Sequence, residues 1–540
     1  MFVRLVPFAA LCCLIGTVFA SPLQDRQAPA PTVTVFNGVV IGTTTQYADA
    51  KATNNKFLGI PFAKSPPLRF GMPQPAESWS APLVATTFKP GCPQTTAIPQ
   101  QIPSGTSEDC LYLNVFTPAD AAAGSNKTVL YWVYGGNLQS GSTAVDLYDG
   151  SSMAANQDVV VVTFGYRINA FGFSNAPEIP VAEQNVGFYD QRLALSWVRS
   201  NIQAFGGDPE KITIFGQSAG GYSVKYLLRL PPSPLPYRAA IMQSQATLIL
   251  GNGADSWNRL AADLGCTGPS TLACVRAADG QQVEAIVINQ SLDFPPVEDR
   301  ITYLEDVYPG FGSGAANVPV MLGTNGQEAS IVPLLLGLDG TPSIEIIELL
   351  TSFLPVVGDV ITNILNAILR NNPVYNLVDA LITNLVFQCD TAKLTQTIYN
   401  SGRPVWRYFY NASFPNTMPF PDAGAYHGAE IPEVFGTYPR ANATAQQKAL
   451  SQYVQTAWAS FAKDPTNGPG WPAYGSAQNV ANLGSNGSPG EVTIPAAQID
   501  GICGLIGVLG GLDAALASAN ASSLVAGALE QTLRLDKSIT

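Results

Sequence analysis

Residues 212–221 read Ile-Thr-Ile-Phe-Gly-Gln-Ser-Ala-Gly-Gly. An apolar, β-rich run ends in a G-x-S-x-G pattern centred on Ser218, and a helical stretch, GGYSVKYLLRL (220–230), follows at once. A chain that turns sharply from strand to helix needs small residues around the bend. Gly216, Ala219, Gly220 and Gly221 supply them, and the serine at the tip is left open for reaction. The N–H of Ala219, at the start of that helix, points to where an oxyanion would form.

Outward from this turn the pattern repeats. Val129–Tyr134 and Val159–Thr163 are short apolar runs rich in β-branched residues, as is Ile212–Phe215, and each ends in glycine or a turn. Between them Asp190–Phe205 (DQRLALSWVRSNIQAF) carries apolar residues at helical spacing. Strands alternating with helices predict a mostly parallel sheet with helices on both faces, an α/β class. After the run LYWVY stand Gly135, Gly136 and Asn137. Beside an elbow serine, this glycine pair reads as the second part of an oxyanion hole, where backbone N–H groups must approach substrate closely.

The chain contains a single histidine, His427, in GAYHGAEIPEVFG. A lone histidine is more often structural than catalytic. With a nucleophile elbow upstream, it becomes the one imidazole available as a general base.

Composition narrows the rest. Lys plus Arg number 27 against 39 Asp plus Glu, and charged residues make up only 12%. An acidic chain with no basic cluster excludes nucleic acid and anionic lipid as partners. No metal-ligand spacing occurs, and one histidine leaves no His-based zinc site, so neither metal nor cofactor is expected. Residues 1–20 carry Arg4, an apolar run from Leu5 to Phe19, and small residues before a cut after Ala20. That is a secretory signal, too short for a membrane anchor. Residues 21–32 read as a disordered leader, and 33–540 as one domain. Six cysteines then remain, Cys92, Cys110, Cys266, Cys274, Cys389 and Cys503. In a secreted chain they imply three disulfides among fifteen connectivities. N-x-S/T sequons stand at Asn126, Asn289, Asn411, Asn442, Asn486 and Asn520. The apolar stretch Ile331–Leu369, broken by Glu345, Glu348, Pro355 and Asp359, reads either as amphipathic helices packed on the body or as a cap over an apolar substrate channel.

Longer stretches bear a resemblance. FLGIPFA (57–63), EDCLYLNVFTP (108–118), residues 185–221, GTNGQEAS (323–330) and AYHGAEIP (425–432) resemble, in this order, the signatures of type-B carboxylesterases, the family of cholinesterases and fungal lipases. The likeness runs from about Val35 to about Tyr474. It implies an α/β-hydrolase fold with cap-like insertions. It also implies a serine ester hydrolase with Ser218 as nucleophile, His427 as base, Glu328 as orienting acid, and Gly136, Asn137 and Ala219 as oxyanion donors. The substrate is then a small-molecule ester, with a lipid–water interface as a transient partner. The resemblance pairs Cys92 with Cys110 and Cys266 with Cys274, which leaves Cys389 with Cys503, similar to a bond in some cholinesterases. It also aligns Arg69 with Glu108 and Arg167 with Asp190 as structural ion pairs.

Three departures matter. Gln217 stands where most members have Glu. A carboxylate there would favour the imidazolium of His427, so its loss should move the acid limb of activity to lower pH. Asn137 replaces a third glycine and brings a side chain to the acyl side. The 92–110 loop has no aromatic residue to bind choline. Together with the apolar stretch after 331, this points to neutral, fairly apolar esters. Segments 286–311 and 331–375 are expected to line the pocket, with FPPVED (294–299) in its acyl region. The competing expectation, a catalytically silent adhesion member, requires loss of the serine, and Ser218, Glu328 and His427 are all present.

Overall fold

The computed structural model describes residues 30–46, 52–94, 102–246, 251–311, 314–331, 379, 382–501 and 503. The signal segment, most of the leader, Asn520 and nearly all of the 331–375 stretch lie outside the described residues.

Fourteen strands are described: β1 (Thr32–Val35), β2 (Gly38–Ile41), β3 (Thr43–Thr45), β4 (Asn54–Pro61), β5 (Leu83–Val84), β6 (Tyr112–Pro118), β7 (Lys127–Val133), β8 (Val160–Phe164), β9 (Gly207–Gln217), β10 (Ala239–Gln243), β11 (Val320–Asn325), β12 (Val405–Tyr410), β13 (Asn479–Leu483) and β14 (Glu491–Pro495). Eleven of them form one sheet in the order β14-β13-β12-β11-β10-β9-β7-β8-β6-β4-β3, while β1, β2 and β5 form a small second sheet. From β8 through β7, β9, β10, β11 and β12 to β13 every pairing is parallel. The edges are antiparallel.

The parallel centre has the composition such a sheet requires. VVVTF, AAIMQ and VWRYFY are buried at every position, because helices cover both faces and no strand face meets water. This is the α/β architecture expected above. The helix expected over 190–205 runs as Val186–Asn201 and tightens to a 3₁₀ turn at Ile202–Phe205. It stops there because Gly206 takes a left-handed φ of 86°.

The sheet order also decides where a site can sit. β7, β9, β10, β11 and β12 are consecutive neighbours. Gly135–Asn137 follow β7, Ser218 follows β9, Glu328 follows β11, and the loop with His427 follows β12. All leave the sheet at its carboxyl edge, where parallel α/β sheets place their ligands.

Candidate active site

Ser218 sits between β9 and the helix Ala219–Arg229 with φ 57° and ψ −126°. A non-glycine residue in this region carries strain of roughly 1–3 kcal/mol. Packing enforces it. A Cβ on Gly220 would lie 1.9 Å from the carbonyl oxygen of Val133, so only glycine lets the helix start this close to β7. The bend is further tied to the next strand by Ser218 N–H donating to Gln243 O at 2.9 Å.

The turn after β7 is equally constrained. Gly136, Asn137 and Leu138 have φ of 115°, 56° and 57°. The Gly136 carbonyl accepts from the N–H groups of Gln139 and Ser140, both at 2.9 Å. Among the described residues, the N–H groups of Gly136 and Ala219 donate to no protein acceptor. The side chain of Tyr134 anchors this turn by donating to Tyr166 O at 2.7 Å, while Tyr166 donates back to Tyr134 O at 2.8 Å.

Glu328 opens a 3₁₀ turn just past β11 and is 1% exposed. Its Oε2 lies 2.6 Å from His427 Nδ1. Its Oε1 accepts from Ser244 Oγ at 2.6 Å and from Asn325 N at 2.7 Å. A buried carboxylate is tolerable here because charge-assisted bonds replace its water. The two loops are pinned to one another. Gln327 N donates to Ala425 O at 3.0 Å, and Ala425 N donates back to the Gln327 side chain at 2.7 Å. Asn325 adds a bond from Nδ2 to Tyr426 O at 2.8 Å.

The imidazole of His427 is 17% exposed, open enough for a reactant to reach it. Phe387, in a π-helical turn over Thr383–Gln388, covers one face with its ring centre 5.0 Å away. With Nδ1 facing a carboxylate, the ring proton sits on Nδ1 and Nε2 carries the lone pair. Nε2 is 3.1 Å from Gln217 Nε2.

Two further carboxyl groups lie behind this arrangement. Glu430 and Glu433 are fully buried on the short helix Ile431–Phe435 and its N-cap. Glu430 accepts from Asn325 Nδ2 at 2.6 Å and Gln243 Nε2 at 2.9 Å. Burial raises its pKa. Burial pushes Glu433 up to about 8, against a partial counter-effect from Gln447. Both groups are held toward the neutral acid. Reading the sequence missed Ser244, Asn325, Gln327, Glu430 and Phe387 as neighbours of Glu328 and His427. Asn325, Gln327 and Glu430 stood inside the quoted segments. Ser244 was marked only by a polar Gln-Ser-Gln run directly after an apolar strand.

The cysteines are bonded as Cys92–Cys110, Cys266–Cys274 and Cys389–Cys503. The third ties the helix that follows Phe387 to the end of the described chain. Arg167 meets Asp190 through two bonds at 2.7 and 2.8 Å, fully buried, and Arg69 meets Glu108 at 2.8 Å. The FPPVED segment is fixed by Asn175 Nδ2 donating to Pro295 O and by Val297 N donating to Asn185. Asn126, Asn289, Asn442 and Asn486 are exposed, whereas Asn411 is half-buried.

The profile of the Carboxylesterase family matches residues 29–495. Similar proteins include a para-nitrobenzyl esterase of Bacillus subtilis, 33% identical over 468 residues, spanning 80% of this chain and 92% of that protein. Liver carboxylesterase 1 of Oryctolagus cuniculus is 31% identical over 536 residues, 88% of this chain and 94% of its own. Acetylcholinesterase of Bungarus fasciatus is 31% identical over 522 residues, 87% and 84% of the two chains.

Proposed function

The chain belongs to the carboxylesterase family, a carboxylic ester hydrolase with a serine mechanism, and on that premise we propose that Ser218, His427 and Glu328 form its triad and that it is secreted to act on neutral, fairly apolar esters. The observation that carries the triad is the 2.6 Å contact between His427 Nδ1 and Glu328 Oε2. It supports a tautomer in which Nε2 is the basic nitrogen.

In this reading His427 Nε2 takes the proton of Ser218 as Oγ attacks the ester carbonyl. Glu328 holds the tautomer and stabilises the imidazolium. The N–H groups of Gly136, Asn137 and Ala219 hold the oxyanion, each worth on the order of 100-fold in rate or more. His427 then protonates the departing alcohol, and water repeats the sequence on the acyl-enzyme. Charge at the reacting oxygen is met by these fixed dipoles.

Residues 33–540 act as one α/β-hydrolase domain. The three disulfides suit an oxidising compartment. Among the described residues, no helix is long and apolar enough to cross a membrane. Glycans sit first on the exposed sequons, Asn126, Asn289, Asn442 and Asn486. A lipid–water interface serves as a transient partner for poorly soluble substrates. The aromatic-free 92–110 loop favours neutral esters over choline esters.

A fluorophosphonate probe tests the reading. Wild type should be labelled and Ser218→Ala should not. Absence of label on a folded wild type removes the proposal. An ester panel graded by acyl length, with and without an interface, then sets the substrate range.

A further inference from the structure

We propose that Gln217 is a positioning residue whose side-chain amide donates to His427 Nε2 and so holds the resting base in its neutral form. The inference rests on the function proposed above and deepens it. It differs from the simpler view that Gln217 merely lacks the charge of a glutamate.

The geometry is specific. Gln217 ends β9 and is 4% exposed. Its Nε2 stands 3.1 Å from His427 Nε2. The His427 Nδ1 proton is committed to Glu328 at 2.6 Å, so the neutral ring offers only the Nε2 lone pair, and the amide N–H is its donor. The amide lies between two glycines. A Cβ on Gly135 would be 3.0 Å from Gln217 Oε1, and one on Gly428 would be 3.7 Å from Gln217 Nε2. The carbonyl end thus faces the turn after β7, and the N–H end faces the histidine loop. Among the described residues, Ser218 Oγ has no hydrogen-bond partner, so the resting ring is satisfied by Gln217 and the serine must displace the amide to hand over its proton.

A hydrogen bond to the neutral form of a titrating group opposes the charged form. With the amide held in this orientation, a proton on Nε2 sets two N–H donors face to face and the bond is lost. Gln217 therefore shifts the equilibrium away from a prematurely protonated base. The other groups around the ring are the same in any Gln217 variant. Glu328 faces Nδ1, and Glu430 lies one residue group further through Asn325. Burial holds Glu433 and the Tyr408, Tyr410 and Tyr426 phenols toward their neutral forms. Ser244 and Gln243 on the β10 side and Phe387 over the ring carry no charge.

Two substitutions separate donation from charge. Gln217→Met keeps the length and removes the donor without adding charge. Gln217→Glu removes the donor and adds a negative charge. The experiment is the pH dependence of kcat/KM on a soluble neutral ester for all three proteins, alongside ¹⁵N-histidine NMR. Because the chain has one histidine, the imidazole signals need no assignment. The acid limb should rise in the order wild type, Met, Glu, with the Met step about 0.4–1 pH unit, the size of one net hydrogen bond. The Met variant should also lose the hydrogen-bonded Nε2 shift. If wild type and Gln217→Met titrate together, or Met lies lower, Gln217 is a neutral filler and the proposal is wrong, while ester hydrolysis stands. If the wild type neither hydrolyses esters nor takes a serine probe, the function fails, and the NMR titration still reads the Gln217 contact.

Discussion

His427 Nδ1 and Glu328 Oε2 lie 2.6 Å apart although 99 residues separate them in the chain. Nothing local produces this contact. It follows from the adjacency of β11 and β12 and from the Gln327–Ala425 strap that holds their following loops together.

Glu328→Gln keeps the shape and the Ser244 contact but removes the charge that stabilises the imidazolium. We expect kcat to fall by about 10³- to 10⁴-fold with KM little changed. Steady-state kinetics checks this, and a loss of less than about tenfold would show that another group orients the ring.

Stability should depend on pH through Glu433. Its folded pKa is raised from 4.5 to about 8, so the folded state binds the proton more tightly than the unfolded chain. Its contribution is complete below pH 4.5 and is lost as pH rises toward about 8, with a slope of up to about 1.4 kcal/mol per pH unit. Burial raises Glu430 in the same direction. Denaturant titrations of Glu433→Gln should show a flatter profile across this window than wild type. Parallel profiles would place the titration elsewhere.

Asn137→Gly relieves the positive φ of 56° at this position and removes a side chain from a turn proposed to meet the acyl group. Turnover should persist while the ratio of rates on long and short acyl esters changes. Identical selectivity across the series would mean that Asn137 does not meet the acyl chain.

Gly220→Ala would drive a methyl group to 1.9 Å from Val133 O. The elbow helix or β7 must move, at a cost of roughly 1–3 kcal/mol. Because β7 leads into Gly136, activity should fall further than stability alone explains. Chemical denaturation and kcat measured on the same samples test both parts.

Much of the proposed site was legible because its pattern is local. The elbow needs its small residues within five positions of Ser218, and the glycine turn must follow a strand directly. The parallel core was only partly legible. β7, β8 and β9 announced themselves as β-branched runs, but AAIMQ of β10 and VWRYFY of β12 carry short or aromatic residues that suit a buried helix as well. Glu328 was singled out through the family likeness alone, since whether an acid can meet the histidine depends on which strands neighbour each other. The same limit hid Ser244 and Asn325, which act on Glu328 across strand ends. Gln217 showed as an unusual residue, but its contact with Nε2 required the fold.

The central claim is that one imidazole performs every proton transfer. With no second histidine to substitute, kcat/KM of His427→Ala on a neutral ester is its most direct test, made on protein shown by circular dichroism to be folded. The account predicts a loss of at least about 10⁴-fold. Activity within about tenfold of wild type would contradict it.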